Sequence, residues 1–419
     1  MSDATRQAVG SPATAVEPAS PTLLAPLRIR NFRNLWLGQG ISLIGDQFKF
    51  VALSWLVLSL TGRSGTLGTV LMLQAIPRSV LMLAGGVVTD RIHPRSVMIL
   101  SDLFRALVVG TIAALAWTQR ITMPHVYALA LLFGTVHAFF FPAQSAMIPE
   151  LVPPGTLRQA NAINQLTNQV VIAGAPALAG FVIAGVGVAA GFAVDTTSFL
   201  VSAAFLLLIR PPARHGDTRA RPWAQFIEGL RYVRSDQVTL TTVVVASLFF
   251  FGYSGATFVG LPVLAKGPLA AGPLGLGALF SASGAGALVG GVIGGTRAVR
   301  RRGLTGNAVI ILMGVLLGLI SVAPTLGTAA GLLFLSGALM SWLGITFMTM
   351  LQLRTDRAYM GRVMATMLFG IYGLYPFSYG LAGWVSEAIG VRALFVAGGA
   401  MITAAGTLGL ASRAMRQLD

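Results

Sequence analysis

Long runs of apolar residues, separated by short polar stretches, repeat along the chain from Leu35 almost to the C-terminus. Each run has roughly 20 residues, which is the length that an α-helix needs to cross about 30 Å of hydrocarbon. The pattern predicts twelve transmembrane helices, at residues 35–60, 66–88, 97–117, 124–142, 164–184, 188–209, 237–265, 273–295, 304–322, 327–350, 363–385 and 391–411. We therefore expect an all-α protein that crosses the bilayer many times.

Composition favours the membrane class and argues against several others. Of the 419 residues 55% are hydrophobic and 10% are charged, and the mean hydropathy is +0.78, far outside the range of soluble globular domains. The chain has no Cys and four scattered His, so we expect no disulfides, no metal site and no cofactor. No nucleophile, base and orienting group occur together, so an enzyme is not expected.

Basic residues are distributed unequally between the two sides of the predicted helices. If the N-terminus is cytoplasmic, 22 of the 29 Lys and Arg fall on cytoplasmic segments, 4 on outer segments and 3 within helices. Positive residues concentrate on the cytoplasmic side of membrane proteins, so both termini are predicted to be cytoplasmic. This distribution accounts for the net charge of +16 without nucleic-acid binding, and the excess of Arg over Lys is typical of a GC-rich bacterial genome. A bacterial cytoplasmic (inner) membrane is therefore the expected location.

The longest charged interruption divides the chain into two sets of six predicted helices. Residues 210–236 form this cytoplasmic linker, between an N-terminal half at 31–209 and a C-terminal half at 237–411, and the remaining residues 1–30 and 412–419 are tails. The first tail is rich in Pro, Ser, Ala and Thr, which predicts disorder. Apolar linker residues recur at helical spacing, which predicts an amphipathic helix on the inner leaflet or a simple tether: Trp223, Phe226, Ile227, Leu230 and Val233.

The two halves resemble each other in sequence. The segment that starts at Gly65 aligns with the one that starts at Gly272, and "APALAGFVIAGVG" aligns with "YPFSYGLAGWVSEAIG", so that Pro176 meets Pro376. Two similar six-helix halves joined by a linker are the pattern of a secondary transporter, whose binding site lies between the halves. The 50 Gly residues allow helices to approach closely and slide.

The first predicted helix carries a polar face. Gln39, Ser42, Asp46 and Lys49 are spaced by three, four and three residues, and Asp46 falls near the middle of the bilayer. A charge there costs about 2.5 to 3.5 kcal/mol, so a function is expected by default. Asp46 would then bind and release a proton, with Lys49 as modulator and His137 as a further titrating candidate. The alternative is a permanent Asp46–Lys49 ion pair without such a function.

Other charged and aromatic residues define the rest of the candidate site. Arg78 follows Pro77 in the second helix and either pairs with Asp46 or meets an anionic substrate group. Asp102 and Arg105 are interpreted as a structural pair, and Asp195 as a packed polar residue. In the second half, aromatic and Met residues are candidates for an adaptable wall around a bulky apolar ligand: Phe251, Tyr253, Trp342, Phe347, Met348, Tyr372 and Tyr375.

The loop "GGVVTDRIHPRSVMIL" resembles the loop between the second and third helices of the major facilitator superfamily. The resemblance implies a cytoplasmic gate, on the matching residues Gly86, Asp90, Arg91 and Arg95. The segments "FRNLWLGQGISLIGDQFKFVALSWLVLSLTG", "FFFPAQSAMIPELVPPGTLRQANAINQL", "FIEGLRYVRS" and "GRVMAT" are similar to the drug and siderophore exporters of that superfamily, including macrolide efflux and enterobactin export proteins.

The segment "AGAPALAG" is similar to the kinked antiporter motif of proton-driven exporters, and the matching residues are Gly174, Pro176 and Gly180. The resemblance also implies that the first, fourth, seventh and tenth helices line the central cavity. The fourth helix has "FGTVHAFFFPA" and lacks the Arg of the superfamily's usual motif, so a proton relay through that Arg is not implied.

The resemblance and the residue pattern together predict a monomeric exporter of lipophilic or amphiphilic small molecules, such as a drug, antibiotic, siderophore or secreted metabolite. The expected mechanism is proton antiport with alternating access, in which the proton gradient supplies energy and membrane lipids surround the protein. The alternatives are a lysophospholipid flippase, a nutrient uptake symporter and, outside the transporters, a membrane receptor or scaffold.

Overall fold

The chain folds into an all-helical bundle, which the computed structural model describes over residues 22–210, 222–296, 301–354 and 360–416. The first half consists of α1 (Arg30–Thr61), α2 (Ser64–Arg91), α3 (Pro94–Trp117), α4 (Met123–Leu151), α5 (Leu157–Val186) and α6 (Val188–Leu207). The linker forms α7 (Pro222–Ser235). The second half consists of α8 (Gln237–Gly255), α9 (Leu261–Lys266), α10 (Gly272–Thr296), α11 (Arg302–Leu319), α12 (Leu326–Arg354), α13 (Met360–Ala388) and α14 (Val391–Ala411), followed by the short α15 (Arg413–Arg416).

Ten helical segments of the described chain are long and apolar enough to cross a membrane. One of them, Gln237–Lys266, is α8 joined to α9 through a π-helical turn at Ala256–Gly260. Helices α2 and α13 are not among the ten, although they have 28 and 29 residues and pack against each other. The count of twelve transmembrane helices and the orientation of the termini stay predictions.

Structure is present in parts of both the predicted tail and the predicted linker. Residues Ala25–Arg28 form a 3-10 turn in which Pro26 is buried, although the sequence places them in a disordered tail. The linker helix α7 packs against α8 and α13, and its Val233 is buried. This position of the predicted apolar face is therefore covered by protein, whereas Trp223 and Phe226 lie outside the residues whose side chains are described.

Equivalent turns of the two halves repeat the same backbone geometry. Gly187, between α5 and α6, has φ of 101°, and Gly390, between α13 and α14, has φ of 102°. Residues with a Cβ rarely adopt this conformation, whereas Gly does so at little cost. These two turns therefore match each other as the internal repeat in the sequence predicts.

The two halves meet mainly through α2 with α13 and α5 with α10. A Cβ atom at Gly68 in α2 would lie 2.5 Å from the carbonyl oxygen of Tyr379, and one at Gly180 would lie 2.5 Å from that of Pro273. Glycine thus allows the backbones of both pairs to touch. These contacts lie toward the end of the bundle opposite the described chain ends at residues 22 and 416, which we name the far end.

Candidate functional site

A cavity of about 330 Å³ lies between the two halves, and we name it the polar cavity. Helices α1, α2 and α4 of the first half supply its polar side chains, and aromatic residues supply much of the opposite wall. Its lining comprises Asp46, Gln47, Lys49, Phe50, Leu71, Gln74, Ala75, Arg78, Ser79, Phe133, Gly134, His137, Phe258, Phe280, Tyr372, Tyr375 and Tyr379.

Asp46 and Lys49 form an ion pair on the wall of the polar cavity. Lys49 Nζ lies 2.5 Å from Asp46 Oδ1, across one turn of α1, and 3.6 Å from the centroid of the Phe133 ring. The Asp46 side chain is 27% exposed and that of Lys49 is 11% exposed. The carboxylate therefore faces the cavity while the ammonium is sandwiched between it and an aromatic face, where a cation is attracted to the ring. His137 lines the same cavity, with its ring stacked 6.0 Å from that of Phe133.

Arg78 lies across the polar cavity, against the second half. Its guanidinium carbon is 5.0 Å from the centroid of the Tyr372 ring, and neighbouring Ser79 donates a hydrogen bond to the Tyr372 carbonyl oxygen at 2.9 Å. Among the described side chains, no carboxylate forms an ion pair with Arg78. The proposed pairing of Arg78 with Asp46 is therefore not present, because Asp46 is bonded to Lys49.

A second cavity of about 300 Å³ lies within the second half, and we name it the apolar cavity. Four of the predicted wall residues line it, namely Phe347, Met348, Tyr372 and Tyr375. Its other lining residues are Thr242, Val245, Ala246, Phe249, Phe250, Arg302, Gly303, Gly306, Asn307, Ile310, Met340, Leu343, Gly344, Thr346, Met350, Met367, Leu368 and Ile371. Tyr372 and Tyr375 also line the polar cavity, so this pair of rings, 5.3 Å apart, stands between the two.

Gln39 and Ser42 are buried inside the first half and do not line either cavity. Gln39 donates a hydrogen bond to Ser202 Oγ at 3.3 Å and accepts one from Gln144 Nε2 at 2.8 Å. The predicted polar face of α1 therefore has two roles. Its N-terminal part holds α1 against α6 and α4, and only the part from Asp46 onward faces the cavity.

Three of the predicted wall residues also lie away from both cavities. The carbonyl oxygen of Phe251 accepts a hydrogen bond from Ser378, Tyr253 stacks on Phe249 with ring centroids 5.7 Å apart, and Trp342 packs against Gly294 of α10. Helix α8 instead presents Phe249 and Phe250 to the apolar cavity. A shift of one or two residues turns a side chain by 100° or 200° around a helix, and helical spacing alone does not fix that rotation.

The predicted cytoplasmic gate is described only in part. Gly86 and Asp90 lie outside the residues whose side chains are described, and Arg91 is exposed. Arg95 donates to the carbonyl oxygens of Leu206 and Leu207 at 2.8 and 2.9 Å. Arg95 thus caps the C-terminal end of α6 within the first half, a position that favours a cation, and it makes no described polar contact with the second half.

The antiporter-like segment lies at the crossing of α5 and α10. A Cβ at Gly277 would lie 2.2 Å from the carbonyl oxygen of Pro176, and the Ala177 amide donates to Ser281 Oγ at 2.9 Å. Gly180 belongs to the same contact, whereas a Cβ at Gly174 would meet nothing within 4 Å. Pro176 and Gly180 therefore shape the interface between the halves, and Gly174 does not contribute to it in this conformation.

The contacts that close the far end are not predicted by the sequence analysis. Arg63 Nη2 lies 2.6 Å from Glu387 Oε1, and the Gly65 amide donates to Glu387 Oε2 at 2.8 Å. The hydrogen bond from Arg63 and that from the Gly65 amide lower the pKa of the Glu387 carboxyl below its ordinary value. Lys266 also donates to the carbonyl oxygen of Leu58. No sequence pattern links these residues, because they are separated by hundreds of positions.

Aromatic side chains from both halves pack against one another on one wall of the polar cavity. The Phe50 ring contacts those of Phe258 and Phe280 edge to face, at 5.4 and 5.1 Å, and Phe258 contacts Tyr379 at 6.0 Å. Phe50 comes from the first half and the other three from the second. The sequence could have predicted that Phe50 faces the cavity, because it lies four residues after Asp46 and so on the same helical face.

Two further acids are buried among the helices of the first half. Asp102 and Arg105 form an ion pair and are 0% and 1% exposed, so the predicted pairing is present. The Arg105 guanidinium also lies over the Phe140 ring, at 3.8 Å. Asp195 is fully buried beside Ser198 Oγ, at 3.4 Å, as expected for a packed polar residue.

Two helical halves around a cavity that holds intramembrane charges are the arrangement found in many membrane transporters. The family described as "transmembrane secretion effector" matches residues 21–419, and the chain belongs to it. The chain is therefore a multi-pass membrane protein, and the family is a transporter family rather than an enzyme class.

Similar proteins agree with this assignment. The chain is 28% identical to the multidrug efflux pump Tap of Mycolicibacterium fortuitum, over 90% of this chain and 94% of that protein. It is 23% identical to the macrolide efflux protein A of Streptococcus pyogenes, over 88% and 93%. Among solved structures, a bacterial homologue of the iron transporter ferroportin in an inward-facing state matches with a TM-score of 0.70 and 15% identity, over 92% of this chain and 98% of that one, which supports the fold.

Proposed function

We propose that the protein exports lipophilic or amphiphilic small molecules from the cytoplasm or inner leaflet of a bacterial cytoplasmic membrane, by alternating access driven by proton antiport. The observation that carries this proposal is the connection of an intramembrane ion pair, Asp46 with Lys49, to an apolar cavity through the shared rings of Tyr372 and Tyr375. The similarity to drug and macrolide efflux proteins supports the same class of substrate.

Proton coupling is assigned to Asp46. Its carboxylate is the one acid that lines either cavity within the described chain, and it is held by Lys49 at 2.5 Å. Protonation of Asp46 would remove its attraction to the Lys49 ammonium and leave an unpaired positive charge beside the Phe133 ring of α4, because a buried ion pair depends on both charges. A transported proton would in this way favour one arrangement of the cavity over the other.

Transport in proteoliposomes tests the proposal. A pH gradient is imposed and efflux of an anionic, an uncharged and a cationic lipophilic dye is measured for the unmodified protein, for Asp46→Asn and for the control Glu228→Gln, which changes an exposed acid on α7. We expect Asp46→Asn to abolish the response to the pH gradient while substrate exchange at equal pH persists. Unchanged gradient-driven efflux by Asp46→Asn would remove Asp46 from the coupling mechanism.

The alternatives predict different results in the same vesicles. A flippase would move labelled lysophospholipid between leaflets and leave the dyes in place. An uptake symporter would move substrate in the same direction as the protons, whereas the proposed antiporter would move it in the opposite direction. A receptor or scaffold would show no substrate-dependent flux in the unmodified protein, and that outcome would overturn the proposed function.

A further inference from the structure

The charges on the walls of the two cavities do not balance. In the described chain, the charged residues that line the polar cavity are Asp46, Lys49 and Arg78, and Arg302 is the one that lines the apolar cavity. Asp46 and Lys49 neutralise each other at 2.5 Å. The two adjacent cavities therefore keep a positive charge, from Arg78 in the region between the halves and from Arg302 at the start of α11.

Arg78 is the cation whose position points to a ligand. It lies in the middle of α2 and is half-buried. In the described chain its guanidinium carbon lies 5.0 Å from the centroid of the Tyr372 ring, which stabilises the positive charge. A guanidinium offers five N–H donors in a planar fork, and a ring face satisfies none of them as hydrogen bonds. A carboxylate or phosphate would accept two of these hydrogen bonds in parallel, which is the strongest arrangement available to an arginine.

The surroundings of Arg78 determine what the rest of the ligand must be. Tyr372, beneath the guanidinium, also lines the apolar cavity, so a ligand group bound at Arg78 is directly adjacent to an apolar volume of about 300 Å³. Several Met side chains line that volume, among them Met340, Met350 and Met367. Methionine adapts to apolar groups of varied shape because its side chain is unbranched and flexible.

We propose that the transported molecule is an amphiphile with a single anionic group, a carboxylate or a phosphate, that binds Arg78 while its apolar part occupies the apolar cavity. This proposal rests on the proposed export function and specifies its substrate class. A cationic substrate is disfavoured by the same walls, since their one described acid, Asp46, is already bound by Lys49. An uncharged substrate would leave the Arg78 guanidinium without a hydrogen-bonding anion in a confined site, which is costly.

Probes with one chain length and different head groups test the charge requirement. Binding of radiolabelled dodecyl phosphate to the protein in lipid nanodiscs is measured, with empty nanodiscs as background, and unlabelled dodecanoate, dodecyltrimethylammonium and dodecyl glucoside compete. Lysophosphatidate with the same acyl chain is a further competitor, and tighter binding than dodecanoate would assign a lipid source, whereas the reverse would assign a free acid. We expect the anionic probes to compete at least about tenfold better than the cationic and uncharged ones.

Substitutions of Arg78 test whether this residue binds the anionic group of the probe. Arg78→Gln is expected to weaken dodecyl phosphate binding by about 10- to 100-fold, since a charge-assisted pair is lost, and Arg78→Lys is expected to keep part of the affinity because it keeps the charge but not the fork. The control Arg120→Gln removes an exposed Arg from the turn between α3 and α4 and should leave binding unchanged. Thermal unfolding of each variant establishes that it is folded.

Two results would overturn the proposed substrate class. One is equal competition by cationic, uncharged and anionic probes, or no binding of any of them to folded protein. The other is unchanged affinity in folded Arg78→Gln. Efflux of an uncharged lipophilic dye is measured in parallel, and its persistence would leave the export function standing while the charge requirement fails. Loss of all flux in the unmodified protein would instead refute the export function itself.

Discussion

Arg63 of the first half and Glu387 of the second are 324 positions apart in the chain, yet Arg63 Nη2 lies 2.6 Å from Glu387 Oε1 at the far end of the bundle. The Gly65 amide binds the other carboxylate oxygen, so Glu387 is held at two points by the start of α2. Alternating access would require this contact to open in each cycle. It is therefore a place where the balance between two conformations can be changed without altering the cavities.

Removal of this ion pair should favour an open far end. In a protein that carries Ala75→Cys, Glu387→Gln is expected to raise labelling of the cavity by a membrane-impermeant maleimide about two- to fivefold, a modest effect because exposed ion pairs contribute little. The chain has no native Cys, so this label reports a single position. The charge exchange Arg63→Glu with Glu387→Arg should return labelling toward its original rate, and failure of the exchange would show that the charges are not the relevant property.

The ion pair of Arg63 with Glu387 should also depend on the pH of the solution at the far end. The pKa of Glu387 lies below its ordinary value of 4.5 because the folded, closed arrangement stabilises the charged form. The stabilisation is therefore complete above pH 4.5 and is lost as the pH falls through the lowered pKa. Because maleimide reacts with the thiolate, which becomes rarer in acid, the labelling rate of Ala75→Cys is divided at each pH by that of the protein in which Glu387→Gln is also present. This ratio should rise toward one as the pH falls below that value. An equal acid response in both proteins would assign the effect to another group.

The glycine crossing between α2 and α13 should be required for transport. In Gly68→Ala the new Cβ would lie 2.5 Å from the Tyr379 carbonyl oxygen and 2.8 Å from Gly383 Cα, and neither backbone atom can rotate away. Such crowding costs about 1–3 kcal/mol, so we expect the closed far end to be disfavoured, dye efflux to fall and labelling of Ala75→Cys to rise. Gly331→Ala is the control, since its Cβ would meet nothing within 4 Å. Equal rates for the two variants would contradict the prediction.

The buried pair of Asp102 and Arg105 should contribute to stability rather than to transport. Either Asp102→Asn or Arg105→Leu leaves a charge or polar group without its partner among fully buried residues, and the expected loss is about 3–5 kcal/mol in the free energy of unfolding. The double variant should lose less, because it leaves no isolated charge. Denaturation in mixed detergent micelles measures the three losses, and a double variant less stable than both single ones would be the contrary result.

Much of the fold can be predicted from the sequence because its signal is local. Apolar runs of membrane-spanning length predict the long helices, and ten of them are confirmed in the described chain. The two-half repeat is also visible in the sequence and reappears in the matched turns at Gly187 and Gly390. The ion pair of Asp46 with Lys49 follows from a spacing of three residues on one helix.

The composition of the cavities is predicted less well, because it depends on how each helix is rotated about its axis. Asp46 and Lys49 of the first-helix stripe line the polar cavity, whereas Gln39 and Ser42 are buried inside the first half and do not. The spacing of polar residues defines a face, and the neighbouring helices determine which part of that face meets the cavity. Likewise α8 turns Phe249 and Phe250 inward instead of Phe251 and Tyr253.

The sequence by itself determined that the chain enters a membrane, that it is built of two related halves and that charges lie within its apolar helices. These properties follow from residue type and spacing along single helices. The tertiary structure decided which charges are neutralised: Asp46 is paired with Lys49, whereas Arg78 faces Tyr372 across the cavity. It also decided that Arg63 meets Glu387, since contacts between distant segments depend on how the two halves pack against each other.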